Sequence, residues 1–141
     1  MTIDAILLPL FVQVGLTFFL LFWTGRERVG AVTRSEVAGS DIALGQPAWP
    51  QRATQVGNAY HNQFELPLLF YVLVILAVFT RKADTLFVVL EWMFVTSRLV
   101  HAAIHVTSND LQRRFAAFVV GAIILLIMWI IFALRIFFAG L

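Results

Sequence analysis

The stretch RRFAAFVVGAIILLIMWIIFALRIFF, residues 113–138, decides the fold. No charged side chain falls between Arg114 and Arg135, and a helix of about 20 such residues crosses a hydrocarbon core about 30 Å thick. Three more stretches read the same way: Ile3–Trp23, Gln51–Phe79 and Thr85–Val106. Lipid offers backbone amides no water, so each span must be a helix that bonds its own donors and acceptors. The expectation is an all-α membrane protein, a single domain over residues 1–141 with spans at about 3–23, 51–79, 85–106 and 113–138. The connections at 80–84 and 107–112 are too short for anything but antiparallel neighbours, which predicts an up-down four-helix bundle. Residues 24–50 contain Gly25, Gly30, Gly39, Gly45 and two prolines; these predict an irregular surface connection. Pro67 is expected to kink the second span by deleting one backbone hydrogen bond.

Composition agrees with a bilayer. Of 141 residues 61% are hydrophobic and 13% charged, against roughly 45–50% apolar in soluble domains. The absence of cysteine excludes disulfides, thiolate metal sites and cysteine nucleophiles, so any thiol chemistry must arrive with a ligand. A net charge of +2 from scattered basic residues is no footprint for nucleic acid. Membrane lipids or a small anion are the better partners. The first apolar stretch is too long for a signal-peptide core and lacks a cleavage site, which predicts a retained span. Arg26, Arg28, Arg34, Arg52, Arg113 and Arg114 lie on the side of the first and third connections, against Arg81, Lys82 and Arg135 on the other. The positive-inside rule then makes the 24–50 connection cytoplasmic and turns both termini outward.

Polar side chains converge near that cytoplasmic face. Gln55, Asn58, Asn62 and Glu65 share one face of the second span at 100° per residue. Arg98, His101 and His105 share one face of the third. Arg113 and Arg114 open the fourth, with Arg26 and Arg28 at the same depth. An ionisable residue in a span costs about 2.5–3.5 kcal/mol on insertion scales and marks a functional site by default. Plainer readings stand beside this one. Glu65 and Arg98 could pair as a structural salt bridge; Asn58 and Asn62 could be interhelical hydrogen-bond glue; the arginines at 26, 28, 113 and 114 could anchor topology. His61 reads as structural or interfacial. His101 and His105, four residues apart, could ligate a metal or haem, but a metal would want a third donor such as Glu65 and a histidine pair alone assigns no metal site.

Several of these residues fall into a known pattern. Asn62-Gln63-Phe64-Glu65-Leu66-Pro67, then Arg98-x-x-His101-x-x-x-His105, then Arg114 after the turn, resembles the motif of the MAPEG family, membrane-associated proteins of eicosanoid and glutathione metabolism. Thr24-Gly25-Arg26-Glu27-Arg28 is similar to the basic segment after the family's first helix. The resemblance implies a homotrimer of a bacterial type, in the inner membrane, binding glutathione as cosubstrate between subunits beside a groove for a hydrophobic small molecule. It implies a glutathione transferase or peroxidase acting on lipophilic electrophiles. In that reading Arg114 is the catalytic residue at the thiol, and Arg28, Asn62, Glu65, Arg98, His101, His105 and Arg113 bind the tripeptide. Glutathione's two carboxylates and one ammonium suit several arginines with one carboxylate. A guanidinium beside the sulfur favours thiolate, the nucleophile.

Two departures from the pattern bear on activity. Asn58 stands where many glutathione-binding members carry arginine, with Arg52 further upstream, and His105 stands where catalytic members carry tyrosine. The alternative is therefore a non-catalytic scaffold of the same fold that binds lipid or a partner membrane protein. A third reading is a haem or quinone protein using His61, His101 and His105.

Overall fold

The computed structural model describes residues 1–138. Its helices are α1 (Ile3–Thr33), α2 (Gly39–Ile42), α3 (Gln51–His61), α4 (Leu66–Phe79), α5 (Thr85–Val106) and α6 (Leu111–Phe137). A 3-10 turn over Asn62–Phe64 joins α3 to α4, and no strand occurs among the described residues. Four segments are long and apolar enough to cross a membrane: α1, α3 with α4, α5, and α6.

The first helix departs from the sequence reading. Instead of ending near Trp23 in an irregular connection, α1 continues through Gly25 and Gly30 to Thr33. Each glycine costs a helix about 1 kcal/mol relative to alanine. Tertiary packing outweighs that cost: Thr24 and Ala31 are buried, and Arg28 lies against α3. The connection also holds the single helical turn α2. Pro9 sits inside α1 without ending it.

The second span is broken rather than kinked. Glu65 takes φ −95° and ψ −106°, outside the helical region, and Pro67 falls in the first turn of α4. A proline there deletes no hydrogen bond, because the first N–H groups of a helix have no intrahelical acceptor. The break gives each half its own neighbours: α3 packs on α1 and α5, and α4 packs on α1 and α6.

Helix α5 is the centre of the bundle, with α1, α3 and α6 against it. Half of its most apolar window is buried, against 22% for α1. Phe70 and Phe94 stack at 4.7 Å within a core that includes Leu73, Phe87, Leu125 and Met128. Large apolar side chains such as Phe11, Phe22, Ile75, Phe79 and Leu126 point outward. In water they would be a liability; as the lipid-facing surface of spanning helices they are what a bilayer requires.

The ends of α5 and α6 are fixed by charge. The Asp84 carboxylate accepts from the Phe87 amide at 2.9 Å, capping α5, and receives both Arg135 Nη groups at 2.8 and 2.7 Å. The Asp110 carboxylate caps α6 by accepting from the Arg113 amide at 2.8 Å. At the tight turn after α5, Asn109 adopts φ 51° and its amide reaches the Ile104 carbonyl at 2.7 Å. Asparagine tolerates this left-handed conformation better than most residues.

Candidate functional site

The centre of the polar cluster is Arg98, which is fully buried. Its Nη2 donates to Asn62 Oδ1 and lies 3.3 Å from His101 Nδ1. Phe118 of α6 covers the guanidinium at 5.9 Å and lies 6.2 Å from the His101 ring. Arg98 Nε and Nη1 have no hydrogen-bond partner among the described residues. A buried cation with two idle donors is costly, and such a group points to a ligand, a water or a partner.

The break in the second span serves this contact. Because α3 ends at His61 and a 3-10 turn follows, Asn62 faces Arg98 across the bundle. Asn62 Nδ2 also reaches Glu65 Oε2 at 3.4 Å. Glu65 itself is exposed, and no carboxylate lies within ion-pair distance of Arg98 among the described residues. The two are connected through Asn62 and form no direct salt bridge.

One turn beyond His101, the His105 ring meets it edge to face at 5.7 Å. His105 is 6% exposed, and its Nδ1 has no partner among the described residues. It lines a cavity of about 220 Å³ together with Gln51, Thr54, Gln55, Asn58, Asn109 and Arg114. Arg114 is half-buried, and its Nη1 donates to Asn109 Oδ1 at 2.5 Å. Arg98, His101, His105 and Arg114 thus form a chain of nitrogen-rich side chains leading from the protein interior to a polar cavity.

The walls of that cavity are held by bonds to the end of α5. Gln55 Nε2 donates to the His105 carbonyl at 2.8 Å and the Thr107 carbonyl at 3.2 Å. Arg52 Nη1 donates to the Val106 carbonyl at 2.5 Å while its guanidinium lies 5.0 Å over Trp23. The last carbonyls of a helix have no intrahelical donor, so these two side chains cap α5 and lock it to α3. Arg52 is held in that cap and does not line the cavity.

Two expected ligands lie elsewhere. Arg28 stacks 5.0 Å from Trp49 and lies on the seam between α1 and α3, where a Cβ on Gly57 would come within 3.2 Å of its Nη2. Arg113 is exposed on the other flank of α6 and lines an apolar groove between α5 and α6. Consecutive helical residues differ by about 100°, which separates the surroundings of Arg113 from those of Arg114.

The profile of the MAPEG family matches residues 6–134. The chain belongs to the MAPEG family. No curated protein and no solved structure gives a significant match. This MAPEG protein is therefore an integral membrane protein of a family tied to glutathione and eicosanoid metabolism.

Sequence reasoning passed over several polar groups of this MAPEG protein. Asn109 enters the cavity from the turn Ser108-Asn109-Asp110, whose composition reads only as a loop. Gln13 and Gln63 share a buried hydrogen bond of 2.8 Å between α1 and the 3-10 turn. Glu91 is fully buried, and both carboxylate oxygens lack partners among the described residues. A carboxyl group within a span was signal enough to find it. It lies two turns along α5 from Arg98 on the same face, about 10 Å away along the axis, and outside the cluster just described.

Proposed function

We propose that this MAPEG protein is a membrane-bound glutathione transferase or peroxidase that presents the thiolate to lipophilic electrophiles at the cytoplasmic face. The observation that carries this reading is the cavity shared by Arg114 and the unpartnered His105 Nδ1. A cysteine-free chain has no thiol of its own, so the nucleophile belongs to the cosubstrate. Arg114 stabilises the thiolate over the thiol, and His105 offers a hydrogen-bonding nitrogen beside it. Asn62, Glu65, Arg98 and His101 form the polar wall that binds the rest of the tripeptide. Glutathione is an extended tripeptide about 10 Å long, and the 220 Å³ cavity is smaller than the roughly 300–1,000 Å³ of typical ligand sites. One chain therefore supplies part of the site. In a homotrimer a neighbouring copy completes it, and Arg28, which does not line the cavity of its own chain, is the cation that copy contributes.

The test is titration of detergent-purified protein with glutathione, followed by calorimetry and by the ultraviolet absorbance of thiolate. Wild type is expected to bind and to ionise the thiol. Arg114→Ala is expected to weaken binding about tenfold to a hundredfold, the worth of a charge-assisted hydrogen bond, and to abolish the thiolate signal. Unchanged behaviour of Arg114→Ala overturns the assignment.

Asn58 in place of an arginine favours a second reading, a non-catalytic family scaffold that holds lipid or a partner membrane protein. It predicts no thiolate signal in wild type, together with a stoichiometric membrane partner after gentle purification.

A further inference from the structure

A concave feature larger than the polar cavity lies apart from it. It is an apolar groove of about 830 Å³ between α5 and α6, lined by Val89, Trp92, Val100, Ile104, Ala117 and Val120 among others, with Arg113 the only charged residue on its wall among the described residues. Ser97 on its floor already spends its hydroxyl on the Phe94 carbonyl at 2.6 Å. Arg113 is exposed, and no carboxylate lies within ion-pair distance of it among the described residues.

Length and charge together select the occupant. The groove begins beside Arg113 and Ile104, at the polar ends of their helices, and closes at Ile124 and Val89. That is about 16 Å along α6 and about 22 Å along α5, more than half of a hydrocarbon core of about 30 Å and short of the whole. A helix of another membrane protein would need a groove through the full thickness. An acyl chain hanging from one interface does not. The cation stands where the headgroup of such a lipid lies, and arginine matches phosphate geometry better than any other side chain.

We propose that the α5/α6 groove is a binding site for one anionic phospholipid, its phosphate on Arg113 and one acyl chain laid between the helices. The site is independent of the thiol cavity, since Arg113 and Arg114 face different surroundings.

The experiment uses the full chain in vesicles of equal parts phosphatidylglycerol and phosphatidylcholine, extracted gently and weighed by native mass spectrometry. Wild type is expected to retain phosphatidylglycerol in preference to phosphatidylcholine. Arg113→Gln, a surface change that spares packing, is expected to reduce that preference about fivefold, the effect of one basic residue at an anionic interface. Ala117→Phe, which fills the groove, is expected to lose retained lipid of either headgroup; Val120→Trp at the exposed rim serves the same purpose if Ala117→Phe fails to fold. Equal retention by wild type and all variants overturns the proposal. So does Ala117→Cys, the only thiol in the chain, forming a disulfide between copies, because the groove is then covered by a second chain.

Discussion

Arg98 owes its place to Asn62. Among the described residues the amide oxygen is the guanidinium's one well-placed hydrogen-bond acceptor apart from the His101 ring nitrogen; Arg98 is fully buried and Asn62 half-buried. Removing that acceptor leaves a buried cation with still fewer partners. Asn62→Ala is expected to destabilise the protein by about 2 kcal/mol, the usual worth of a hydrogen bond to a charged group. Asn62→Asp supplies a carboxylate of the same shape and is expected to restore the melting temperature in detergent. If both variants melt alike, the contact is not what holds Arg98. The types and order of these residues were legible in the sequence, because polar side chains at helical spacing on two spans had to face each other or face lipid. Their pairing was not. Periodicity assigns a residue to a helix face but says nothing of which side chain reaches which atom, so the Glu65–Arg98 contact it suggested is in fact relayed through Asn62. It also grouped Arg113 with Arg114, two neighbours that a helix turns apart.

The α5–α6 pair shows what fixes one helix on another. A Cβ on Gly121 would lie 2.7 Å from Ser97 Oγ, closer than packing permits, so the helices approach through a site where only a hydrogen fits. Gly121→Ala is expected to cost about 1–3 kcal/mol by overpacking, and adding Ser97→Ala is expected to recover most of it. Additive losses in that double-mutant cycle would separate the two positions. At the opposite end of the pair, Arg135 holds the Asp84 carboxyl below its ordinary 3.8. Its contribution is complete above that unfolded value and is lost as pH falls through the lower folded one. With the Asp84 side chain 52% exposed, solvent screens the pair to about 1 kcal/mol or less. Asp84→Asn keeps an N-capping side chain and loses only the ionic part. The gap in melting temperature between wild type and Asp84→Asn is therefore expected to be present at pH 7, to narrow as pH falls below 3.8 and to close once the folded carboxylate is itself protonated. The long apolar runs made these helices readable, since lipid leaves a chain no other structure. The extent of α1 was hidden because Gly25 and Gly30 weigh against a helix locally, whereas the packing of Thr24 and Arg28 on α3 acts from a distance in sequence. The break at Glu65 was misread as a bend for a related reason: a proline in the first turn of a new helix has the same sequence signature as one inside an old helix.

Orientation joins the fold to the proposed chemistry. Arg26, Arg28, Arg34, Arg52, Arg113 and Arg114 gather at the end of the bundle that bears the polar cavity, with Arg81, Lys82 and Arg135 at the other. Translocation of basic loops is disfavoured, and on that rule we propose that the first end faces the cytoplasm. The cytosol is also the compartment that keeps glutathione reduced, so the proposed thiol chemistry requires the cavity to face that side. Because the chain has no cysteine, single substitutions report sidedness without background. Ser40 in α2 and Thr85 at the start of α5 are both exposed and lie at opposite ends of the bundle. In intact cells a membrane-impermeant maleimide is expected to label Thr85→Cys at once and Ser40→Cys only after permeabilisation. The reverse pattern would turn the cavity away from its cosubstrate and remove the thiol reading along with the topology, whatever the geometry of Arg114 and His105.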